Sequence, residues 1–429
     1  MNQTYDVIIV GTGVAGLYCA LNLPESFRVC ILTKQNAEDA NSFLAQGGIC
    51  VLRGEDDYAD YYEDTMRAGH YENNPKTVEL VLRSSNTVIR DLIRRGVRFN
   101  RTPDGQLAYT REGAHSRPRI LYHQDITGHE ISSTLLQRVR EKQNVTLFEH
   151  TTMLDVLVQD ERCCGVVAQQ DGQPVRCVYA RAVVLACGGI GGLYQSSTSF
   201  PHITGDALAI ALKHSITIEH LNYVQMHPTA LYSTKKGRKF LISESVRGEG
   251  AVLLDKSGQR FTNELQPRDV VSQAIWQQME KDGTDHVWED LRPLGKTLIM
   301  EHFPNIYDAC RAEGYDVLSQ PIPVAPAEHY LMGGIAVDMA SRTSMPGLYA
   351  CGETSCNGIH GKNRLASNSL LESLVFAARA ADDIVFGCHP APAPTTVPVN
   401  LDAYENHAAL FQDYGRAVLT EIERLNHHE

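Results

Sequence analysis

The N-terminal segment begins with a continuous apolar run that gives way to a helical spacing of apolar residues. Residues 5–10 are almost all apolar, which predicts a strand. Apolar residues then recur at Leu17, Ala20 and Leu23, on one face of an α-helix. A second apolar run at residues 28–32 predicts another strand. The pattern therefore indicates a strand-helix-strand unit of a parallel sheet.

The C-terminal segment has a weaker pattern. Prolines at positions 390, 392 and 394 predict a stiff linker, and one helix is predicted after it at about residues 401–425. The apolar face of this helix is irregular and consists of Ala408, Leu410, Phe411, Ala417, Val418 and Ile422.

Length and composition indicate a protein of more than one domain. The chain has 429 residues, whereas a single hydrophobic core stops growing at roughly 250 to 300 residues, so two or three domains are expected. The longest apolar stretch, residues 182–193, is too short and too rich in glycine for a membrane helix of about 20 residues. A net charge of −12 argues against general nucleic-acid binding. Any anionic ligand must be held by a few specific cations.

The cysteines and the start of the chain favour a cytoplasmic location. There are 11 cysteines, an odd number, and the first strand begins almost at the N-terminus, which argues against secretion. Cys163 and Cys164 are adjacent, and Cys351 and Cys356 are five residues apart, so neither pair has the spacing of a zinc or thiol redox site. We therefore predict neither disulfides nor a metal site.

Three glycines between the first strand and helix carry the first chemical signal. Gly11, Gly13 and Gly16 have the spacing that allows a tight turn, a close approach of backbone N–H groups to a pyrophosphate, and close packing of helix on strand. The helix N-terminus adds partial positive charge, so the unit predicts a bound dinucleotide. The second strand ends at Thr33 and Lys34, where an acid that binds the ribose is usual. Lys34 either favours a phosphorylated ribose, as in NADP, or is a solvated strand end.

Residues 41–49 supply hydroxyl, amide and bare backbone groups in nine positions. The small residues beside Gly47 and Gly48 allow a planar ring to lie against the main chain, with N–H donors available to its edge.

These segments resemble a known group of flavoproteins. Together with other matching segments they are similar to the FAD-dependent succinate dehydrogenase and fumarate reductase flavoprotein superfamily and, within it, to the L-aspartate oxidase family. The match runs in order from about residue 5 to about residue 385. The other matching segments are residues 183–189, 227–230, 247–250, 267–269 and 361–372.

The resemblance implies an α/β fold. Its parts are a discontinuous Rossmann-like FAD-binding domain, an inserted α+β capping domain and a short helical C-terminal tail. The expected limits are 1–220 and 331–392 for the two parts of the FAD-binding domain, 221–330 for the capping domain and 393–429 for the tail. Longer relatives continue into a larger helical domain, so the tail is a truncation relative to them.

The resemblance also implies the cofactor and the residues that bind it. Members with covalent FAD carry a histidine where this chain has Asn41, and an amide cannot form that link, so FAD is expected to be non-covalent. Glu353 is assigned to the ribityl side, and Ser369 and Leu370 to the ring edge at the start of a helix. The expected FAD-binding residues are Gly11, Gly13, Val14, Ala15, Gly16, Thr33, Lys34, Asn41, Ser42, Ala45, Gln46, Gly47, Gly48, Ala186, Gly188, Asp206, Glu353, Ser369 and Leu370.

The same comparison suggests a site for a four-carbon dicarboxylate. Arg364 can grip one carboxylate in a bidentate fork, and the other substrate-binding residues are expected to be His227, Ser243 and His329. Arg268 matches the catalytic arginine of the superfamily; its role is electrostatic, and its part in proton transfer is left open. Glu112 stands where dicarboxylate-only relatives have a glutamine, and its carboxylate can pair with the α-ammonium of aspartate.

The implied reaction is oxidation of L-aspartate to iminoaspartate, with hydride transfer from Cα to flavin N5. Dioxygen, which gives hydrogen peroxide, or fumarate would reoxidise the flavin, and the product would feed quinolinate synthase in NAD biosynthesis. The alternatives are a soluble fumarate reductase or succinate-oxidising flavoprotein, and a flavin-bound structural or regulatory protein without turnover. Asn41, Glu112 and the absence of iron-sulfur or haem motifs speak against the first of these.

Overall fold

The computed structural model describes residues 4–386 and 397–427. The strands within these ranges are β1 (Thr4–Val10), β2 (Val29–Leu32), β3 (Ile49–Cys50), β4 (Tyr109–Thr110), β5 (Ile120–Leu121), β6 (Val145–Phe148), β7 (Thr151–Gln159), β8 (Arg162–Gln170), β9 (Arg176–Leu185), β10 (Ile218–Glu219), β11 (Val224–Leu231), β12 (Val252–Leu254), β13 (Val287–Asp290), β14 (Ile322–Leu331), β15 (Gly334–Ala336), β16 (Leu348–Ala350) and β17 (Ser355–Cys356).

The α-helices in the same ranges are α1 (Val14–Asn22), α2 (Glu55–Ala68), α3 (Pro75–Arg95), α4 (Thr127–Glu141), α5 (Asp206–Lys213), α6 (Glu244–Gly248), α7 (Arg268–Asp282), α8 (Lys296–His302), α9 (Pro304–Ala312), α10 (Asn368–Phe386) and α11 (His407–Asn426). Short 3₁₀ turns lie at Asn41–Leu44, Gly191–Leu193, Arg292–Leu294, Gly352–Thr354 and Leu401–Tyr404. No α-helix among the described residues is long and apolar enough to cross a membrane.

A largely parallel sheet forms the centre of the molecule and confirms the expected α/β fold. Its order is β6-β2-β1-β9-β8-β7, and β16 also pairs with β9. The strands β6, β2, β1, β9 and β16 are parallel, whereas β7 and β8 join the edge antiparallel. Side chains of β1 alternate between two cores: Val7 and Ile9 face the helices α1, α3, α4 and α10, and Ile8 faces α5 and α11. Burial on both faces explains why residues 7–10 of β1 are all apolar.

A second layer follows β10 along the chain. The antiparallel sheet β11-β14-β13-β12 packs with α6 to α9 around a separate apolar core that includes Leu253, Val271, Ile275 and Ile306. This layer falls within the segment expected to form the capping domain, 221–330. The strand β14 continues one residue past that limit, and the domain limits stay a prediction.

The C-terminal helix differs from the prediction in its start and its buried face. Of the residues predicted to begin this helix, Leu401–Tyr404 form a separate 3₁₀ turn. The helix α11 begins only after Asn406, whose side chain accepts a hydrogen bond from the backbone N–H of Ala409. Ala408 and Ala417 are exposed, so their placement on the apolar face was wrong. Tyr414 and Gly415 are buried instead, beside Val418 and Ile422. The predicted linker at prolines 390 to 394 lies outside the described residues.

The ten described cysteines are free, and most of them are buried. Cys388 lies outside the described residues.

Candidate active site

A long cavity opens at the carboxyl ends of β1, β2 and β9, with about 1710 Å³ of empty space including the part open to solvent. Parallel α/β sheets bind ligands at this edge. Except for Gly16, every residue predicted for the site lines the cavity: Gly11, Gly13, Val14, Ala15, Thr33, Lys34, Asn41, Ser42, Ala45, Gln46, Gly47, Gly48, Glu112, Ala186, Gly188, Asp206, His227, Ser243, Arg268, His329, Glu353, Arg364, Ser369 and Leu370.

The three glycines at the start of α1 have different environments. Gly11 has φ +114, and a Cβ there would lie 2.0 Å from the carbonyl oxygen of Ala186. A Cβ on Gly16 would lie 2.1 Å from the carbonyl oxygen of Gly11, so Gly16 packs α1 against the turn and does not face the cavity. Gly13 is the N-cap of α1 and lines the cavity, with only the Ser42 hydroxyl, at 3.7 Å, near its added Cβ. The helix N-terminus is therefore open to a pyrophosphate, and the cavity fits a dinucleotide such as FAD.

The end of β2 forms one end of the cavity. Lys34 donates a hydrogen bond to the carbonyl oxygen of His202 at 2.9 Å and forms an ion pair with Asp206, the first residue of α5. Because Asp206 neutralises Lys34, this lysine is not a free cation for a phosphorylated ribose. The ion pair instead places the carboxylate of Asp206 at the end of β2, where the strand itself has no acidic residue.

The segment around Asn41 lies along the middle of the cavity. The side-chain oxygen of Asn41 accepts a hydrogen bond from the backbone N–H of Phe200 at 3.0 Å. The Ser42 hydroxyl accepts from the N–H of Val14 at 3.1 Å, so it fixes the first turn of α1. The side-chain oxygen of Gln46 is buried and has no partner among the described residues, which suits a donor on a bound ligand.

Glu353 lies near Asn41 at the same part of the cavity. Its carboxylate accepts a hydrogen bond from the backbone N–H of Leu331 at 3.1 Å. Burial raises the pKa of Glu353 to about 7. A group with this pKa can be protonated or ionised near neutral pH, as the charge of a neighbouring ligand requires.

Two buried arginines, Arg268 and Arg364, line the cavity. Arg268, 7% exposed, donates through Nε to Glu244 at 2.6 Å and through Nη1 to the side-chain oxygen of Gln225 at 2.8 Å. The Nε of Arg364 donates to the same Gln225 oxygen at 3.3 Å. Gln225 thus holds the two guanidinium groups toward one space, and their remaining N–H groups are available to an anion.

The charges of these arginines are only partly balanced. Burial alone would raise the pKa of Glu244, but Arg268 and Arg247 lower it, so Glu244 is an anion. Burial and the charge of Arg268 lower the pKa of Arg364 to about 10, and its guanidinium lies over the Tyr330 ring at 4.1 Å. Arg268 and Arg364 together exceed Glu244 by one positive charge, which suits a carboxylate ligand.

The two predicted histidines lie together, with ring centroids 5.0 Å apart. Burial and the charge of Arg268 lower the pKa of both His227 and His329 well below the usual value, so both rings are neutral. The Nδ1 of His227 accepts a hydrogen bond from the N–H of Thr229, which places the ring proton on Nε2. That Nε2 has no partner among the described residues and can donate to a substrate carboxylate. The Nδ1 of His329 bonds with the Thr198 hydroxyl at 2.8 Å.

A chain of hydroxyl groups leads to Glu112. The Ser243 hydroxyl donates to Ser245 at 3.2 Å, and the Ser245 hydroxyl donates to one carboxylate oxygen of Glu112 at 2.7 Å. Ser367 donates to the other oxygen at 2.6 Å. Glu112 is 2% exposed, and burial together with the charge of Glu244 raises its pKa.

A buried ionic cluster holds the loop that carries Glu112. Arg119 is fully buried and pairs with Asp57 at 2.9 Å and Asp64 at 2.7 Å. It also contacts the Nδ1 of His115 at 3.0 Å, and because a guanidinium can only donate, this nitrogen must accept. The Nε2–H of His115 then donates to the carbonyl oxygen of Ala366 at 3.1 Å. The cluster therefore ties the Glu112 loop to the segment that carries Arg364 and Ser367.

Sequence analysis missed five side chains that shape the site. Gln225, Glu244 and Ser245 lie inside or beside motifs used for the resemblance, but they were not assigned a role. The only sequence signal for them is their place within two or three residues of His227 and Ser243. Ser367, which has φ +61, and Tyr330 act through contacts with distant residues, and no local pattern indicates these contacts.

Comparisons with known proteins identify the family to which the chain belongs. The chain matches the FAD binding domain family over residues 6–370. It is 48% identical to an L-aspartate oxidase of Clostridium perfringens over 385 residues, which cover 90% of this chain and 87% of that protein. It is 46% identical to an L-aspartate oxidase of Clostridium acetobutylicum, with 90% and 88% covered. Among solved structures, a variant of E. coli quinol fumarate reductase FrdA has a TM-score of 0.85 and 32% identity, and the match covers 96% of this chain and 74% of that one.

The family match covers residues 6–370, and each of the two L-aspartate oxidases covers 90% of this chain. The cavity has a glycine turn and an open helix end that fit FAD, and two buried arginines face the same space as Glu112. This chain belongs to the L-aspartate oxidase family of FAD-binding flavoproteins.

Proposed function

We propose that this protein oxidises L-aspartate to iminoaspartate with FAD as its cofactor. The observation that carries the proposal is the buried carboxylate of Glu112, which lines the same cavity as Arg268, Arg364 and His227. A dicarboxylate needs cations and donors, which the last three residues supply. A buried carboxylate adds nothing for such a ligand unless the ligand also carries a cation, and the α-ammonium group of aspartate is that cation.

The two carboxylates of the substrate are held by different groups. Arg364 offers a planar fork of N–H donors for one carboxylate. The free Nε2–H of His227 donates to the other, and the hydroxyl of Ser243, which donates to Ser245 in the structure, can turn to the same carboxylate when the substrate is bound. His329, fixed by Thr198, completes this side of the pocket. Because both imidazoles are neutral, they donate hydrogen bonds without adding charge.

Glu112 selects the substrate. The hydroxyl groups of Ser245 and Ser367 each occupy one of its oxygens and leave further lone pairs for the ammonium group. Pairing with the ammonium favours ionised Glu112, which offsets the effect of burial on its pKa.

The reaction removes a hydride from Cα, and the ammonium group loses two protons, which pass to solvent, so that the C=N bond of iminoaspartate forms. FAD, when bound, supplies the two-electron acceptor for this step. The protein's part is to orient Cα and to exclude water; well-oriented groups save roughly 7 to 11 kcal/mol of the barrier. Arg268, held by Glu244 and Gln225, stabilises the negative charge of the substrate. The proposal does not assign it a part in proton transfer.

FAD binding is proposed to be non-covalent. Asn41 stands where a covalent member of the superfamily carries histidine, and its amide is engaged with the backbone of Phe200. Reoxidation by dioxygen, which yields hydrogen peroxide, or by fumarate, which yields succinate, completes the turnover. The cytoplasmic location, the supply of iminoaspartate to quinolinate synthase for NAD biosynthesis, and the division into FAD-binding and capping domains belong to the same proposal.

A fumarate reductase or succinate-oxidising enzyme is the second candidate. The similarity to quinol fumarate reductase structures favours it, because the arginines and histidines suit any four-carbon dicarboxylate. Glu112 disfavours it, since an ionised carboxylate repels a ligand that has no ammonium group.

The test is to add L-aspartate, D-aspartate or succinate to the purified yellow protein without oxygen and to follow the flavin absorbance. L-aspartate should bleach the flavin, and D-aspartate and succinate should not. Bleaching by succinate but not by L-aspartate would overturn the proposal in favour of the second candidate. No bleaching by any of the three would favour a flavoprotein without turnover.

A further inference from the structure

The C-terminal helix α11 packs against the end of the cavity that is formed by β2 and α5. Its buried residues Tyr414, Val418 and Ile422 share one apolar core with Ala207 to Ala211 of α5. Gly415 allows a close approach, because a Cβ there would lie 3.0 Å from a side-chain carbon of Leu193. The helix is therefore part of the wall behind the cavity lining.

One side chain of α11 reaches a residue of the cavity directly. The Phe411 ring lies under the ammonium group of Lys34, with 4.7 Å from Nζ to the ring centroid. Lys34 lines the cavity, pairs with Asp206 and bonds to the carbonyl oxygen of His202. Phe411 thus supports the cation around which this end of the cavity is built.

The tail has two further anchors on the same layer. The Tyr404 hydroxyl donates to the carboxylate of Asp155 at 2.6 Å, and the Tyr414 hydroxyl donates to the carbonyl oxygen of Leu154 at 2.8 Å. Asp155 also bonds with His214, just after α5, at 2.7 Å. These contacts hold α11 and α5 to β7, so the position of Phe411 is fixed relative to Lys34.

We infer that α11, through Phe411, positions Lys34 and Asp206 for the adenosine end of FAD and so sets the affinity for the cofactor. In a dinucleotide fold the end of the second strand faces the adenosine ribose. Phe411 does not line the cavity itself, so it is a positioning residue. The inference rests on the FAD binding stated above but not on the oxidation of aspartate.

The experiment measures FAD binding to full-length apoprotein by quenching of flavin fluorescence. Phe411→Ala should raise the Kd for FAD about three- to thirtyfold, the range expected from the loss of one partly desolvated cation–π contact. ADP, which carries the adenosine end alone, should lose affinity by the same factor, measured by its competition with FAD. Leu425→Ala is the matched control, since Leu425 packs at the other end of α11 against the same core. This control should leave the Kd unchanged.

A double-mutant cycle separates positioning from general loss of structure. In a Lys34→Met background, Phe411→Ala should have little further effect on the Kd, because the two residues act as one unit. Phe411→Leu, which keeps an apolar side chain but removes the ring, should give an intermediate Kd. A wild-type Kd for Phe411→Ala, or an equal loss of affinity with and without Lys34, would overturn the inference. The result does not depend on whether the protein turns over aspartate.

Discussion

At the scale of single residues, Glu112 has the largest consequence. Several acidic residues line the cavity. Within the described part of the chain, Glu112 is the one whose carboxylate accepts hydrogen bonds from hydroxyl groups only, those of Ser245 and Ser367. Glu244 is paired with Arg268, and Glu353 accepts from a backbone N–H. Glu112 therefore has electrostatic capacity left for a substrate cation.

The first prediction concerns Glu112→Gln. This change removes a charged hydrogen bond to the substrate ammonium, worth about 1.5 to 3 kcal/mol, so kcat/KM for L-aspartate should fall about 10- to 150-fold. Reduction of fumarate by the reduced protein should change far less. Glu249→Gln is a matched control, because Glu249 accepts from Thr110 near the Glu112 loop but does not line the cavity. Equal losses of activity with aspartate and with fumarate would show that Glu112 does not recognise the amine of the substrate.

The second prediction concerns pH. Burial and Glu244 raise the pKa of Glu112 in the free protein, so acid protonates Glu112 above the usual range of glutamate. As the pH falls through that raised pKa, the charge that holds the ammonium is lost, and kcat/KM for L-aspartate should fall. The pH profile of Glu112→Gln should lack this acid limb. An identical acid limb in both proteins would assign it to another group.

The same shift has a consequence for stability. A carboxyl whose pKa is raised by folding binds its proton more tightly in the folded state, so the stability it contributes is lost as the pH rises through the folded pKa. At neutral pH the apoprotein with Glu112→Gln should therefore melt at a higher temperature than the wild type, as measured by calorimetry. A lower melting temperature would show that the bonds from Ser245 and Ser367 to the ionised group outweigh its burial.

At the scale of elements, Gly13 and Gly16 at the start of α1 should respond differently to an added methyl group. Gly16→Ala would place a Cβ 2.1 Å from the carbonyl oxygen of Gly11, so it should destabilise the apoprotein itself. Gly13→Ala meets only the Ser42 hydroxyl at 3.7 Å, and at the N-cap of α1 alanine is a poor residue but not a clash, so the apoprotein should fold. Its methyl group points to the space of the pyrophosphate and should weaken FAD binding. Thermal melting of both apoproteins, together with FAD titration of Gly13→Ala, tests this pair. Comparable melting of the two would contradict it.

The elements near the N-terminus could be predicted well because their signals are local. The glycine spacing and the apolar run of β1 are properties of neighbouring residues, and both were confirmed in the fold. The start of α11 was not predicted, because the cap at Asn406 competes with a helical pattern that begins earlier. The ion pair of Lys34 with Asp206 joins residues far apart in sequence, so the strand end alone left the role of Lys34 open.

At the scale of the whole molecule, a helix cap is one of the contacts that join the sheet layer to the segment of α6 to α9. Asp125, 2% exposed, lies just before α4, and its carboxylate accepts hydrogen bonds from the N–H groups of Asn305 at 3.2 Å and Ile306 at 2.7 Å. These are the first N–H groups of α9, so Asp125 caps a helix that belongs to the other layer.

Asp125→Ala should loosen that layer locally. Loss of a helix cap costs about 0.5 to 2 kcal/mol, and here the loss should speed amide hydrogen exchange in α9 while α1 and β1 keep their protection. Asp125→Asn keeps one acceptor and should have a smaller effect. Faster exchange throughout the chain would mean that Asp125 supports global stability and not the attachment of this layer.

The position of Glu112 also ties recognition of the amine to the contact between two layers. Ser245 and Ser367, its two hydroxyl partners, lie on α6 and just before α10, in the two layers that meet at the cavity. The carboxylates of aspartate and of succinate meet the same arginines and histidines, and only the ammonium group of aspartate adds a pair with Glu112. We therefore expect discrimination against succinate to appear in turnover more than in the first encounter.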